Sequence, residues 1–375
     1  MSPPSRRRIL ITTDAIGGVW TYSTTLARAL ARRLYEVVLV TLGPPPRPEQ
    51  LAALADCPGI TVKATDFALE WMDPQGHDFA RAQSALAKIG WHVKPDVVHL
   101  NSYREALCNW PAPVLLVAHS CVRSWWRACR GTDPDEPRWN DYVARVKHAL
   151  SACDRWVAPS AAFRDQMQAL YEPASSGRVI HNGLPGGSIS RAKEPFIIAA
   201  GRLWDEAKNV QSLVCIAGEL AWPVKLAGAL PRSSHSTQLA VEFLGELPRA
   251  RLMHWLAQGG IYVSPALYEP FGLCALEAAL AGCALVLSNI PTFAELWSGA
   301  AVFVEPGNRR ELIATFQHLC EEKGMRSRLQ AAAAQRAARF SADAMADAYC
   351  EIYDELICAK LRDRSAGYAL AERYA

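Results

Sequence analysis

Short runs of apolar residues alternate with longer amphipathic stretches along most of the chain. In the first half these runs are rich in valine, isoleucine and leucine. They lie at residues 9–11, 37–40, 97–100 and 114–117. Between the first two runs, Leu26 and Leu30 recur at helical spacing. Because strands buried in a parallel sheet read as nearly continuous aliphatic runs separated by helices, this pattern predicts βαβ units.

The same alternation restarts after residues 183–194, a stretch rich in glycine, proline and serine that is typical of a linker. The second set of runs lies at residues 196–200, 224–227, 241–244, 261–263, 284–287 and 302–304. We therefore expect two doubly wound α/β domains, residues 1–188 and 189–345, with a ligand cleft between them. Residues 346–375 are expected to form a helix and tail that pack back towards the first domain.

Composition narrows the class of protein. The 375 residues, half of them hydrophobic, suffice for two domains that each bury a core. A formal net charge of +3 argues against nucleic acid as a partner, and no apolar run approaches the roughly 18 residues of a membrane-spanning helix. Eleven scattered cysteines without a CxxC pair fit reduced thiols better than disulfides or zinc. The sequence predicts a cytoplasmic protein without a metal site.

Two glycines, Gly17 and Gly18, join the first predicted strand to the first predicted helix. Paired glycines let the backbone approach a ligand, and the helix start behind them offers N–H groups to an anion. A tight turn without a ligand explains the pair equally well. The motif is not GxGxxG, and the second strand ends in Thr41-Leu42-Gly43 without the acid that would bind the ribose of NAD. An NAD-dependent oxidoreductase is therefore disfavoured.

Two carboxylates and two cations follow strands of the second domain. Gly272 is predicted to lie at a helix start, where a phosphate is favoured, and Glu277 about a turn further on could accept hydrogen bonds from two ribose hydroxyls. Glu269, on the preceding loop, could face a sugar. Arg202 and Lys208 follow another strand and could neutralise a diphosphate without a metal. Taken alone, the two glutamates could be ordinary acids at a helix start. Taken alone, the two cations could be ordinary solvated surface charges.

In combination these motifs resemble those of the retaining glycosyltransferases of family 4. The resemblance extends in order over nearly the whole chain, and its matching segments are Gly17-Gly18, Ala118-His119-Ser120, and residues 179–183, 201–203, 208–209, 226–228, 243–245 and 269–277. It implies the GT-B fold, two facing Rossmann-like domains with a cleft between them. It also implies a metal-independent, retaining hexosyltransferase that needs no cofactor. Its donor would be a nucleotide sugar, expected to be a UDP- or GDP-sugar.

The resemblance further implies a role for each matching residue. Arg202 and Lys208 would hold the diphosphate, Glu277 the ribose and Glu269 the donor sugar. His119 would face that sugar from the other side of the cleft. The remaining implied contacts involve mainly backbone: Phe271, Gly272 and Leu273 at the sugar, Gly245 and Leu247 around the base, and Gly17 and Gly18 over the phosphates.

Two departures from the family pattern leave the expected phosphate contacts intact but could alter domain closure or the acceptor side. Gly183 is followed by Leu184-Pro185, where the family often has an aspartate, and the later loop keeps Glu295 but lacks paired glycines. An alternative is therefore a catalytically silent scaffold that binds nucleotide sugars. The acceptor is expected to be the hydroxyl of a sugar, a lipid-linked glycan or a small molecule, in polysaccharide, glycolipid or glycoconjugate synthesis.

Two further segments allow more than one interpretation. Asp133-Pro134-Asp135 has the form of a metal-binding DxD motif, but it lies in an acidic, proline-containing loop and does not follow a buried strand, so we expect solvated charges. Trp125-Trp126 has arginines on both sides. It could bind an acceptor sugar, lie at the inner face of a membrane, or be buried against the sheet.

Overall fold

A computed structural model describes residues 6–186, 192–229 and 240–374 of the chain, with residues 363–374 as backbone only. The first sheet has the strand order β3-β2-β1-β4-β5-β6-β7, and every neighbouring pair is parallel. Its strands are β1 (Arg8–Asp14), β2 (Glu36–Leu42), β3 (Ile60–Ala64), β4 (Val97–Leu100), β5 (Val114–Val117), β6 (Arg155–Ala158) and β7 (Arg178–Val179). Its helices are α1 (Gly18–Arg32), α2 (Pro48–Ala55), α3 (Phe79–Val93), α4 (Val122–Arg130), α5 (Asn140–Ala152) and α6 (Ala161–Tyr171).

The second sheet has the order β10-β9-β8-β11-β12-β13 and is also parallel throughout. Its strands are β8 (Glu194–Ala200), β9 (Val224–Ala227), β10 (Val241–Gly245), β11 (Gly259–Ser264), β12 (Ala284–Ser288) and β13 (Val302–Val304). The helices that follow are α7 (Gln211–Val214), α8 (Arg249–Gln258), α9 (Leu273–Leu280), α10 (Pro291–Trp297), α11 (Arg309–Glu321), α12 (Lys323–Ala337) and α13 (Ala342–Tyr374). The predicted pair of doubly wound sheets is confirmed.

Strand order locates the ligand-binding edge of each sheet. Consecutive connections run in opposite directions on either side of β1 in the first sheet and of β8 in the second. Ligands of such sheets bind beyond the carboxyl ends of the strands at this reversal. The loops that leave β1, β4, β8 and β11 are therefore the ones that can build a site.

The chain crosses between the two sheets twice, and the crossings lie side by side. Leu184 accepts a hydrogen bond from Ala342 N at 2.9 Å and donates one to Phe340 O at 3.0 Å. A Cβ on Gly183 would lie 2.1 Å from the carbonyl oxygen of Ser341, so only glycine allows this approach. Helix α13 then packs its apolar face on α1 and the first sheet, with Met345, Ala346, Tyr349, Ile352, Tyr353 and Leu356 in the shared core.

The tryptophan segment and the Asp-Pro-Asp segment contact each other through α4. Trp126 is buried in the core of the first sheet. Arg123 and Arg127 both pair with Asp133, at 2.9 and 2.6 Å, and their guanidinium groups hold the pKa of that carboxyl well below its usual range. Asp133 is thus satisfied by arginines. Within the described ranges no helix is long and apolar enough to cross a membrane.

Candidate functional site

The glycine loop of the first domain touches the second domain. Gly17 has a φ of 75°, in the left-handed region that favours glycine, and precedes α1 without a side-chain cap. No atom lies within 4 Å of a Cβ built on Gly17. A Cβ on Gly18 would lie 3.6 Å from Cδ1 of Leu273, the first residue of α9. The two helix starts that the sequence marks as anion sites therefore face each other across the cleft.

The two predicted cations lie at the end of β8. The ammonium of Lys208 forms an ion pair with Oε2 of Glu269, which follows β11, and both side chains are largely buried. Arg202 remains half exposed and donates to Oδ2 of Asp205 at 2.8 Å. A Cβ on Gly228, which follows β9, would lie 1.8 Å from the oxygen of Gly201, so glycine is needed where these strand ends converge. The fold thus gathers both cations and Glu269 at one sheet edge.

The start of α9 supplies further positive potential. Gly272 has a φ of 88° and is the residue before the helix, and no side chain caps the first turn. A Cβ there would approach Phe293 Cε1 to 2.7 Å, while Phe271 is buried. Because the first N–H groups of a helix lack intrahelical acceptors, this end favours an anion. Glycine is therefore favoured at this left-handed position directly before the helix.

Glu277, a turn into α9, is buried and paired. Arg249, the first residue of α8, donates from Nε to Oε1 of Glu277 at 3.0 Å. Burial raises the pKa of the Glu277 carboxyl, and Arg249 acts in the opposite direction. Sequence reasoning missed Arg249. In the sequence, the only signal for Arg249 is its position two residues after Leu247, in the loop expected to surround the base.

His119, from the first domain, is a neutral group in the folded protein. Its Nε2 lies 2.8 Å from Oδ1 of Asn101, and the ring of Tyr22 packs edge-on with a centroid separation of 4.5 Å. Burial lowers the pKa of His119 to about 3. Asn101 is fixed by donating from its amide to the Thr12 oxygen at 2.6 Å. Asn101 follows β4 and was missed, because nothing nearby in the sequence marks it as a partner of His119.

Asp14, like Arg249 and Asn101, was missed by the sequence reasoning. It ends β1, and its Oδ1 accepts the N–H of Ile16 at 2.8 Å. Burial raises the pKa of the Asp14 carboxyl to about 6, while the Ile16 N–H and the charge of Arg202 act to lower it. Asp14 therefore ends β1 close enough to Arg202 of the second domain for that charge to favour its ionised form.

Glu295, a minor candidate in the sequence, lies at the domain interface. Its two carboxylate oxygens accept the N–H groups of Ala161 and Ala162, at 2.8 and 2.7 Å, and so cap α6 of the first domain. His181 Nε2 is 3.5 Å from the same carboxylate. An acid at a helix start is favoured by the free N–H groups and the helix dipole, so Glu295 joins the domains.

Other polar contacts also connect the domains. Trp125 donates its indole N–H to Asp205 Oδ1 at 2.9 Å, and the Tyr268 hydroxyl lies 2.7 Å from Ser124 Oγ. Ser160 donates to the Pro270 oxygen at 2.8 Å. Trp125 thus contacts the loop that carries Arg202 and Lys208. Across residues 6–186, 192–229 and 240–374, no group of three or more metal-ligating side chains could hold an ion.

Comparison with known proteins gives consistent matches to each half of the chain. Residues 16–185 match the model of "Glycosyltransferase Family 4", and residues 189–336 match "Glycosyl transferases group 1". The chain is 27% identical to the glycogen synthase of Mycobacterium tuberculosis H37Rv over 90% of this chain and 91% of that protein.

Solved structures give the same fold. Sucrose-phosphate synthase from Thermosynechococcus elongatus superposes with a TM-score of 0.79 at 17% identity, over 94% of this chain and 100% of that one. Anabaena HepE in complex with UDP and glucose gives 0.73 at 15% identity, over 94% and 100%.

Proposed function

The chain belongs to the family 4 glycosyltransferases of GT-B fold, and from this premise we propose that it is a retaining, metal-independent hexosyltransferase that uses a UDP-sugar. The observation that carries the proposal is the convergence of Arg202, Lys208 and the uncapped start of α9 beside Glu269 and Glu277. Two cations and free N–H groups suit a diphosphate, and two carboxylates suit the hydroxyls of a ribose and a hexose.

Charge development explains what these groups would do. As the bond from the anomeric carbon to the diphosphate oxygen breaks, negative charge grows on the leaving group and positive charge on the sugar. A cation ~4 Å from the departing oxygen stabilises it by roughly 4 kcal/mol at an effective dielectric of about 20. Arg202, Lys208 and the N–H groups of α9 are preorganised for this charge, so they would lower the barrier without a metal. Glu269 would orient the sugar by accepting from its hydroxyls.

Retention would follow from attack on the face that the diphosphate leaves. The acceptor oxygen bonds to the anomeric carbon as the diphosphate departs, and the acceptor proton passes to a diphosphate oxygen. His119, held neutral by burial, would contact a sugar hydroxyl without adding charge. Gly17 and Gly18 would let the backbone close over the phosphates, and Gly245 and Leu247 would surround the base.

The choice of donor and acceptor class rests on similar proteins. HepE, which shares the fold, is described in complexes with UDP and UDP-glucose, so UDP is preferred here over GDP. The glycogen synthase relative supports a sugar acceptor and a role in polysaccharide synthesis. The departure from the family pattern at Leu184-Pro185 is weak support for a silent scaffold. Leu184 pairs with Ser341 where the chain crosses between the sheets, and it is not among the residues proposed to contact the diphosphate.

Product analysis tests this proposal. The protein is incubated with UDP-glucose or GDP-mannose and a panel of saccharides, with and without EDTA, and the product's anomeric proton is examined by NMR. We expect an α-linked product at equal rates with and without EDTA. An inverted product, or activity that EDTA abolishes, would contradict it.

A further inference from the structure

The loop between β3 and α3, residues 65–78, is long and presents apolar side chains to solvent. It has no regular strand or helix. Within it, the side chain of Trp71 is 42% exposed and that of Met72 is 52% exposed. Long structureless loops in compact domains are uncommon and usually functional. An exposed tryptophan in such a loop therefore requires a physical explanation.

Buried charges on both sides of Trp71 hold this loop in place. Glu70 is 7% exposed and accepts the N–H groups of Tyr103 and Arg104 at 3.1 and 3.0 Å. Arg104 is fully buried and donates to Asp73 Oδ2 at 3.1 Å. Burying such charges costs several kcal/mol per ion unless their partners are well placed. The outward position of Trp71 and Met72 is therefore fixed by the fold and does not reflect a loose loop.

The loop lies over the ligand-binding edge of the first sheet. Phe67 accepts the N–H of Gly43 at 2.7 Å just beyond β2, and Glu70 is bonded to residues beyond β4. Strand β1, which ends at Asp14, lies between β2 and β4. Tyr103 in turn donates its hydroxyl to the oxygen of Ser120, the neighbour of His119, at 3.0 Å. The loop that carries Trp71 is thus anchored at the edge of the first sheet that faces the cleft.

The charge of the loop selects among partners. Residues 65–78 contain the four acids Asp66, Glu70, Asp73 and Asp78 and no lysine or arginine. Arg81 of α3 pairs with Asp66 and Asp78, and the buried Arg104 pairs with Asp73, so neighbouring arginines balance most of this acidic charge. An anionic membrane surface and the donor diphosphate both require an excess of cations, and the arginines beside this loop are already paired with its acids, so neither ligand matches. A neutral pyranose does match, because its C–H face can cover an indole while exposed polar side chains such as Gln75 and His77 meet its hydroxyls.

We propose that Trp71, with Met72 beside it, is the platform on which the ring of a carbohydrate acceptor stacks. This inference rests on the proposed function and adds the acceptor class: a neutral sugar ring, either free or at the end of a lipid-linked glycan. The rigid anchoring reduces the entropy lost on binding, since the platform is already ordered.

The test compares two exposed tryptophans. Trp71→Ala removes the platform, and Trp71→Phe retains an aromatic face. Trp91→Ala is the matched control, because Trp91 is also exposed, at 58%. It lies near the end of α3, at the edge of the sheet where β4 begins, which is opposite to the ligand-binding edge. The readouts are UDP affinity, hydrolysis of the sugar donor in water, and KM for the best acceptor in a panel from glucose to maltoheptaose.

We expect Trp71→Ala to raise the acceptor KM about tenfold while UDP affinity and donor hydrolysis stay unchanged. Trp71→Phe should recover most of the loss, and Trp91→Ala should behave as wild type. An unchanged KM in Trp71→Ala, or an equal loss in Trp91→Ala, overturns the platform.

Further outcomes separate this inference from the proposed function. A wild-type protein that binds UDP but uses no saccharide, or that needs Trp71 to bind anionic phospholipid vesicles, overturns the platform and leaves the donor site intact. The protein could use the lipid-linked form of a sugar and not the free form. If Trp71→Ala still raises the KM for that lipid-linked acceptor, the platform stands and the sugar comes from a lipid-linked glycan. Failure to bind any nucleoside diphosphate overturns the proposed function itself.

Discussion

Each glutamate of the candidate donor site is paired with a cation from another element. Glu269 contacts Lys208, and Glu277 contacts Arg249, which lies 28 positions away in the sequence. These pairings keep the carboxylates from repelling an incoming diphosphate. In the sequence, the charges after predicted strands made Glu269, Glu277 and Lys208 candidates, and the resemblance to family 4 implied their roles. Arg249 could not be assigned in that way, because its contact with Glu277 depends on how α8 packs beside α9.

Substitution of Glu277 tests its role at the ribose. Glu277→Ala would remove the two hydrogen bonds that we propose from the ribose hydroxyls to this carboxylate, each worth about 1.5–3 kcal/mol, so kcat/KM should fall at least about 100-fold. Steady-state kinetics with UDP release as the signal would measure this, and a thermal melt would show that the variant is folded. Glu321→Ala, an exposed acid at the end of α11, is the control and should be silent. Near-normal kcat/KM in Glu277→Ala would remove Glu277 from the site.

Helix α13 connects the end of the chain to the first-domain side of the site. Its Tyr353 hydroxyl lies 2.7 Å from His99 Nδ1, and His99 Nε2 lies 3.1 Å from the hydroxyl of Tyr22, which packs against His119. Helical spacing of apolar residues was sufficient to predict the helix and its buried face. It could not identify His99 as a partner, because that contact joins residues 254 positions apart.

The burial of His99 predicts a pH dependence of stability. Burial lowers the pKa of His99 from 6.5 to about 3, so the folded protein holds it neutral while the unfolded chain protonates it. Its contribution to stability is therefore present above pH 6.5 and is lost as pH falls from 6.5 towards 3. Between about pH 7.5 and 5, wild type should lose about 2 kcal/mol of unfolding free energy relative to His99→Gln, measured by urea denaturation.

Comparison with His99→Gln isolates the contribution of His99 from those of other buried groups. One such group is Asp14, whose raised pKa has the opposite effect on how the free energy of unfolding changes with pH. A difference between the two proteins that stays constant across the range would mean that His99 is not held neutral.

At the scale of the whole molecule, the site exists only because two sheets face each other. Gly18 contacts Leu273, Trp125 contacts Asp205, and Glu295 caps α6 of the other domain. The sequence predicted both sheets and the cleft, because short aliphatic runs and strand-end motifs are local signals. These contacts join residues 80 or more positions apart, so no periodicity revealed them, and Glu295 was not recognised as a link between domains.

The central claim is that a nucleoside diphosphate is held by protein cations alone. Calorimetric titration of UDP in the presence of EDTA measures this directly, with Lys208→Ala as the test variant and Lys323→Ala, an exposed lysine on α12, as its control. We expect wild type and Lys323→Ala to bind UDP with the same affinity with or without EDTA, and Lys208→Ala to bind about tenfold or more weakly. Binding that requires a divalent metal ion, or that is unchanged in Lys208→Ala, would contradict the account.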